Sequence, residues 1–179
     1  LNTNNVDQKV ISNQNDAAGG YKLGFHTNGK VEFEIRTNGN NPNPLIRNVA
    51  GGTPLNTGTW YYVAGTYSNS GNFIYTYVNG ILDRSMVCNE TLGTSPGSTK
   101  IGREPFAMDL FFDGRIDEVR VQWGLARDAG WLTTEYNNQS SPATFYSVFT
   151  TESDIKALCK NASLSLDATG NATLTVPMV

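Results

Sequence analysis

Short runs in which apolar and polar residues alternate fill the first two thirds of the chain, each closed by Gly, Asn or Pro. YKLGF (21–25) and VEFEIR (31–36) flank HTNGK, whose Asn28-Gly29 pair predicts a tight type I′ hairpin. TWYYVAGTY (59–67) and NFIYTYVNG (72–80) predict a second hairpin across SNSG, and Asn79-Gly80 then turns the chain into ILDRSMV (81–87). The intervening TNGNNPNPLIRNVAGGTPLNTG (37–58) is rich in Gly, Pro and Asn and reads as a long surface excursion. Strands at these intervals predict a two-sheet sandwich. One segment, ARDAGWLTTEYNN, switches to helical spacing, with Asp128 as N-cap and Leu132 and Tyr136 at i,i+4. After about Phe149 the aromatics stop; ASLSL and ATLTV flank DATGN as a small hairpin. Such a hairpin is marginal alone and is expected to open a further β module.

Composition narrows the function classes. The 179 residues carry a net charge of −3, and only 16% are charged, so no electrostatic footprint for nucleic acid is present. The apolar runs fall short of the roughly 20 residues that span a bilayer, so no transmembrane segment is expected. Leu1 follows neither an initiating Met nor a signal-peptide pattern, and the chain is expected to be a piece of a longer, exported polypeptide. The two cysteines, Cys88 and Cys159, form no CxxC pair, which excludes a zinc ribbon and a thioredoxin-type site. A Cys88–Cys159 disulfide and a pairing of Cys159 beyond Val179 both stay open.

Three blocks in fixed order, GTWYYVAGTY (58–67), IYTYVNGILDRS (74–85) and IGREPFAMDLFFDGRIDEVRVQWGLARDAGWLTTEY (101–136), resemble the laminin-G-like, concanavalin A-like jelly-roll family. The resemblance covers about residues 6 to 136 and implies an all-β jelly roll with one short helix. TEYNNQSSPATFYSV resembles a tail found behind this domain in large secreted bacterial proteins. CKNASLSLDATGNATLT (159–175) resembles the first strands of Ig-like repeats in giant surface adhesins of gliding Bacteroidetes. The implied organisation is a jelly roll at 1–148, then a linker and the start of a second β repeat at 149–179. Relatives begin with an F-T-x-x-x-W strand that this chain lacks. That strand is expected beside Gly114–Val121, and its absence would leave a sheet edge bare.

FFDGRIDEVRV (111–121) is the most charged stretch and reads as a strand. Alternation would send Asp117, Val119 and Val121 to one face and Ile116, Glu118 and Arg120 to the other. Asp117 would then sit at the core margin, where a carboxylate needs partners. Two readings stay open: a ligand of structural Ca²⁺ together with loop carbonyls, or an acceptor of backbone N–H bonds from a neighbouring loop. Glu118 and Arg120 read as a solvated pair.

Glycoside hydrolysis needs two carboxyls about 5–10 Å apart, and enzymes of related fold resemble a Glu-x-Asp-x-x-Glu strand that is not found here. Glu32 and Glu34 share a face without a third partner, and the one histidine, His26, flanks a turn with no nucleophile motif nearby. The expectation is a non-catalytic module. Trp60 and Tyr62 share one face of their strand, Tyr61, Val63 and Tyr67 the other; one face is core and the other is covered or left as a groove. With the 37–58 loop as a wall, Trp60, Tyr62, Arg36, Asn40, Asn41 and Arg47 are the candidate ligand contacts. The expected function is adhesion on a bacterial cell surface, through polysaccharide or another surface and beside neighbouring modules of one polypeptide. Alternatives are a spacer or filament element, or a carbohydrate-binding appendage of a secreted polysaccharide-degrading enzyme.

Overall fold

A computed structural model of the chain describes residues 1–15, 18–37, 45–105 and 110–145. Its strands are β1 Gln8–Ser12, β2 Gly20–Phe25, β3 Lys30–Arg36, β4 Ile46–Pro54, β5 Val63–Ser68, β6 Phe73–Val78, β7 Ile81–Val87 and β8 Lys100–Ile101. Helix α1 spans Ala129–Ser140, followed by one turn, α2, at Pro142–Phe145. The strands pair as β4-β3-β2-β1-β8 and β5-β6-β7, two antiparallel sheets that pack face to face. This is the jelly-roll-type sandwich expected. The chain divides into the units Leu1–Phe145 and Tyr146–Val179. The second, with the hairpin expected at 162–176 and with Cys159, lies outside the described residues.

Alternation decides the core. In β3, Val31, Phe33 and Ile35 point inward and join Tyr21, Val49, Ile74 and Cys88 in one cluster and Phe25 and Leu55 in another. Ile35, Val31 and Ile74 are fully buried, each stabilising the fold by about 1.5–3 kcal/mol relative to exposure. From the facing sheet, Tyr61, Val63, Tyr67, Val78 and Met86 pack onto these clusters. Gly65 of β5 sits directly against the Phe33 ring, leaving no room for a side chain.

The outward face of β3 is also buried, and there the sequence reading is extended. Glu32 is ion-paired with Lys9 of β1 at 2.9 Å; Glu34 is paired with Lys22 of β2 at 3.1 Å and Arg36 at 3.5 Å. The Asn48 amide donates to Glu32, and the Gln14 amide to Glu34. Burial works against ionisation of Glu32, but Lys9 and Asn48 outweigh it and hold the carboxyl below its usual range. For Lys22, burial is outweighed by Glu34 and Glu104, which keep its pKa raised. Glu32 and Glu34 are thus committed to a neutralised network.

Three expectations change. The 37–58 excursion contains a nine-residue edge strand, β4, paired antiparallel with β3 from Ile46 to Pro54, with one register shift between Lys30 and Glu32. Its Gly51-Gly52 end is held by Asp83 of β7, whose carboxylate accepts the Gly52 and Thr53 N–H groups at 2.9 and 3.0 Å and the Thr53 hydroxyl at 2.6 Å. A residue distant in sequence thus supplies what local propensity withholds. The 26–30 hairpin forms, but only Gly29 of the Asn28-Gly29 pair takes positive φ (72°). Gly29 N–H bonds His26 C=O and His26 N–H bonds Lys30 C=O, so the turn is one residue longer than a type I′ connection.

The third change concerns 111–121, which joins no ladder. Residues 110–113 are tied to the β1 neighbourhood by Lys9 N–H to Leu110 C=O, Phe112 N–H to Gly102 C=O and Asp113 N–H to Gln8 Oε1. Thereafter Glu118 takes φ +51°, which breaks the two-residue alternation. Ile116 and Val119 are half-buried, while Asp117, Glu118, Arg120 and Val121 are exposed. β5 is a terminal strand of its three-stranded sheet.

Candidate functional site

The face of the three-stranded sheet that turns away from the core is built by simple parity. Tyr61, Val63, Gly65 and Tyr67 point inward, so Tyr62, Ala64, Thr66 and Ser68 point outward. In β6 the outward set is Phe73, Tyr75 and Tyr77, and cross-strand register places Val87, Ser85 and Leu82 beside them. The face is therefore three rows deep: Ser68–Phe73–Val87, Thr66–Tyr75–Ser85 and Ala64–Tyr77–Leu82. Down its middle, Phe73 and Tyr75 stack at 5.6 Å and Tyr75 and Tyr77 follow at 6.2 Å.

Helix α1 covers one end of this face. Asp128 caps it as expected, accepting the Trp131 N–H at 2.8 Å. Leu132 is buried and Tyr136 rests against Tyr62 with ring centroids 6.3 Å apart. The Thr133 hydroxyl donates to Gly80 C=O at 2.7 Å, seating the helix on the Asn79-Gly80 turn, where both residues take positive φ. Glu135, buried on the same helix, accepts the Tyr62 hydroxyl at 3.3 Å and pairs with Arg120. Burial pushes the Tyr62 phenol up, with Arg120 opposing. Burial likewise raises the Tyr77 phenol; a hydrogen bond with Thr66 opposes it, and the Tyr75 and Asp128 charges add to it.

The two rows beyond the helix are open. Phe73 and Tyr75 remain half-buried, and Ser85 and Val87 are exposed. The six side chains of these rows are two aromatic rings, one of them a phenol, one aliphatic group and three aliphatic hydroxyls. These six side chains offer aromatic faces for C–H groups and hydroxyls for hydrogen bonds, and none of the six is an acidic or basic residue.

Val87 also lines a groove of about 420 Å³ between β4 and β7, with Ile46, Arg47, Asn48, Met86, Asn89 and Glu90. Arg47 is ion-paired with Glu90, and its hydrogen bond, opposed by burial, holds the Glu90 carboxyl below its usual range. Glu90 is fixed in turn: its C=O accepts the Tyr67 hydroxyl at 2.6 Å and its Oε2 lies 3.6 Å from the Cys88 thiol. Burial raises the pKa of that thiol, which is free and sits in the core. A smaller recess of about 290 Å³ lies between Asn13, Leu92, Thr94 and Trp123, whose ring meets Tyr21 edge-on at 5.7 Å.

The structure distributes the sequence-derived candidates. Tyr62 is beneath α1, and Trp60 is exposed in the connection before β5. Arg47 lies at the opposite end of the sandwich, beside the last residues of β7. Arg36 closes β3 next to Glu34, and its C=O accepts the Gly93 N–H at 2.8 Å. Asn40 and Asn41 lie outside the described residues. The outward row Phe73–Tyr75 was legible as alternation in NFIYTYV; that it is the open part of the face depends on where α1 lands.

Asp117 is exposed, and its carboxylate accepts the N–H of the adjacent Glu118 at 2.9 Å. The nearby Asp113 is bonded to Asn2 at 2.8 Å, and Glu118 to Arg120 at 2.8 Å. Among the described residues no three acidic, His or Cys side chains converge, so side chains alone do not assemble the six to eight oxygen ligands of Ca²⁺ around Asp117. Among them, too, no helix is long and apolar enough to cross a membrane.

Comparison with known proteins adds the family. The model for the concanavalin A-like lectin/glucanases superfamily (Laminin_G_3) matches residues 1–133. The crystal structure of a "putative carbohydrate binding protein" from Bacteroides ovatus is similar at 24% identity and TM-score 0.53; 74% of this chain is covered, but only 37% of that one. An S-layer domain-containing protein from Clostridium thermocellum aligns at 21% identity and TM-score 0.38, over 76% of this chain and 65% of that chain. A heptameric SAP-like pentraxin from Limulus polyphemus aligns at 18% and 0.39, over 56% and 47%. No curated protein matches.

Proposed function

The chain belongs to the concanavalin A-like lectin/glucanases superfamily, and from that premise we propose that it is a non-catalytic module that binds neutral glycan on the outer face of β5-β6-β7. The observation that carries this is the open pair of rows Ser68–Phe73–Val87 and Thr66–Tyr75–Ser85, an aromatic shelf edged by hydroxyls, none of whose six residues is acidic or basic. Aromatic rings over sugar C–H faces combine apolar burial with orientation, and hydroxyls at their flanks meet sugar hydroxyls. The carbohydrate-binding description of the Bacteroides ovatus neighbour supports the same class. The non-catalytic reading draws support from Glu32 and Glu34, whose oxygens are held by Lys9, Lys22, Arg36, Asn48 and Gln14. A general acid needs a raised pKa, whereas Glu32 is shifted the other way.

Within this reading the module serves adhesion at a bacterial cell surface, on polysaccharide and beside neighbouring modules of a longer polypeptide. Attachment to a polysaccharide-degrading enzyme would use the same shelf. Native affinity electrophoresis in gels containing neutral polysaccharides tests it. Retardation of the wild-type chain, lost in Tyr75→Ala with its melting temperature retained, is expected. Equal mobility of both in every gel refutes it.

A spacer role is favoured by a different observation: β5 is a terminal strand, and Phe111, Val121, Trp123 and Leu125, close together in sequence, are large apolar residues left exposed. Silence on all glycans, with burial of these four residues against a neighbouring module of the longer polypeptide, would select it.

A further inference from the structure

We propose that the shelf and the Arg47–Glu90 groove form one track, and that the ligand is an extended stretch of neutral polysaccharide rather than a single sugar. The inference rests on the glycan-binding reading and adds the direction, extent and specificity of the site.

The direction follows from what closes each end of the face. At the Tyr77 end, α1 sits on Tyr62 and on the Asn79-Gly80 turn. At the other end, Val87 belongs both to the outward row beside Phe73 and to the lining of the groove. A chain lying on Tyr75 and Phe73 therefore continues past Val87 and between Ile46 and Asn89. The groove volume of about 420 Å³ is within the range of small-ligand sites, and it adds to the shelf instead of replacing it.

The groove also changes the chemistry. On the shelf the polar groups are single hydroxyls. In the groove they are a guanidinium and a carboxylate, already paired and neutral in sum. Arg47 carries five N–H donors, more than one carboxylate can accept, and Glu90 is acceptor-only. Neighbouring sugar hydroxyls, each both donor and acceptor, match such a pair, and bonds to charged groups are stronger than those between neutral ones. The pair is preorganised: Tyr67 and Cys88 fix Glu90 from the core side, and both side chains of the pair are about two thirds or more covered. Rigid donors and acceptors reduce the ordering cost of binding. The neutral sum selects uncharged chains, because an anionic polysaccharide would bring a negative charge next to Glu90. Arg47 and Glu90 are thereby specificity-determining residues, while Phe73 and Tyr75 supply the general affinity.

Calorimetric titration with neutral oligosaccharide ladders (cello-, xylo-, manno- and laminari-series, from disaccharide to octasaccharide) tests the track. Wild-type affinity should rise with length and then level off. Arg47→Met should weaken the longest oligomers about tenfold more than the disaccharide, the order of one charged hydrogen bond. Asn89→Trp, which fills the groove from its exposed rim and leaves the ion pair intact, should flatten the length dependence in the same way. This second variant guards against instability in the first. Tyr75→Ala should weaken every length. If both groove variants keep the wild-type length dependence while Tyr75→Ala loses binding, the track is wrong and the shelf stands. If no oligosaccharide binds the wild type, or Tyr75→Ala changes nothing, the glycan reading falls and the track with it.

Discussion

Replacing Lys9 by Met tests the reading of Glu32 and Glu34 as structural rather than reactive. Lys9 is 1% exposed and its Nζ lies 2.9 Å from Glu32 Oε2; Glu32 is 6% exposed. The aliphatic stem packs along Gly24, where an added Cβ would come within 2.9 Å of Lys9 Cδ, so Met preserves most of the packing. What is lost is the charge opposite a buried carboxylate. Breaking one side of a buried pair costs about 3–5 kcal/mol. At about 2–4 °C per kcal/mol for a domain of this size, the melting temperature should fall by roughly 6–20 °C.

The pH dependence carries the diagnostic sign. In the wild type the Glu32 pKa is depressed on folding, so its contribution is present above the unfolded value of about 4.3 and fades as pH falls through the folded value. In Lys9→Met, burial loses its main counterweight and raises the folded pKa above the unfolded one. The resulting penalty is full at neutral pH and disappears below about pH 4. Urea unfolding at pH 7 and pH 4 should therefore show a wide gap between the two proteins that narrows with acid. Adding Glu32→Gln to Lys9→Met should recover much of the loss at pH 7. A gap under about 1 kcal/mol at pH 7 is no more than an exposed pair contributes; that result, or a gap independent of pH, would refute the network as described.

Other outcomes follow from the same geometry. Gly80→Ala places a side chain at φ +74° and a Cβ 2.7 Å from Thr133 Cα, so α1 should be displaced at a cost of about 1–2 kcal/mol from the backbone alone; thermal melts and near-UV dichroism of Tyr62 and Tyr136 would register it. Asp83→Ala removes three hydrogen bonds that hold the Gly52–Thr53 end of β4, and urea unfolding should show a loss of about 1–3 kcal/mol, with faster amide exchange at Gly52 and Thr53. Because Asp117 bonds its own neighbour instead of converging with other carboxylates, EDTA should leave the melting temperature unchanged. A chelator-induced drop reversed by calcium would support the metal reading.

Much of the sandwich is legible along the chain because its hairpins are local. Alternation in VEFEIR and NFIYTYV gives the inward sets Val31–Phe33–Ile35 and Ile74–Val78, and Asn79-Gly80 and Asp128 mark a turn and a cap that form as read. The missed strand β4 fails the same local test: Gly51, Gly52 and Pro54 weaken any propensity, and the stabilising partners are β3 and the distant Asp83. The charged stretch 111–121 errs in the opposite direction, with strand-like residues but, among the described residues, no strand paired with it in a ladder.

Parity along each strand, and hence which residues can share a face, was determined by the sequence itself, because a two-residue repeat is a property of extended backbone. Which face becomes a site was decided only in three dimensions. Helix α1 lands on Tyr62 and leaves Tyr75 open, Lys9 and Lys22 arrive beside the β3 carboxylates and neutralise them, and the β4 edge meets β7 to bring Arg47 to Glu90. The physical reason is common to all three. Covering, neutralising and pairing depend on groups far apart in the chain, and no local pattern records the partner that packing will supply.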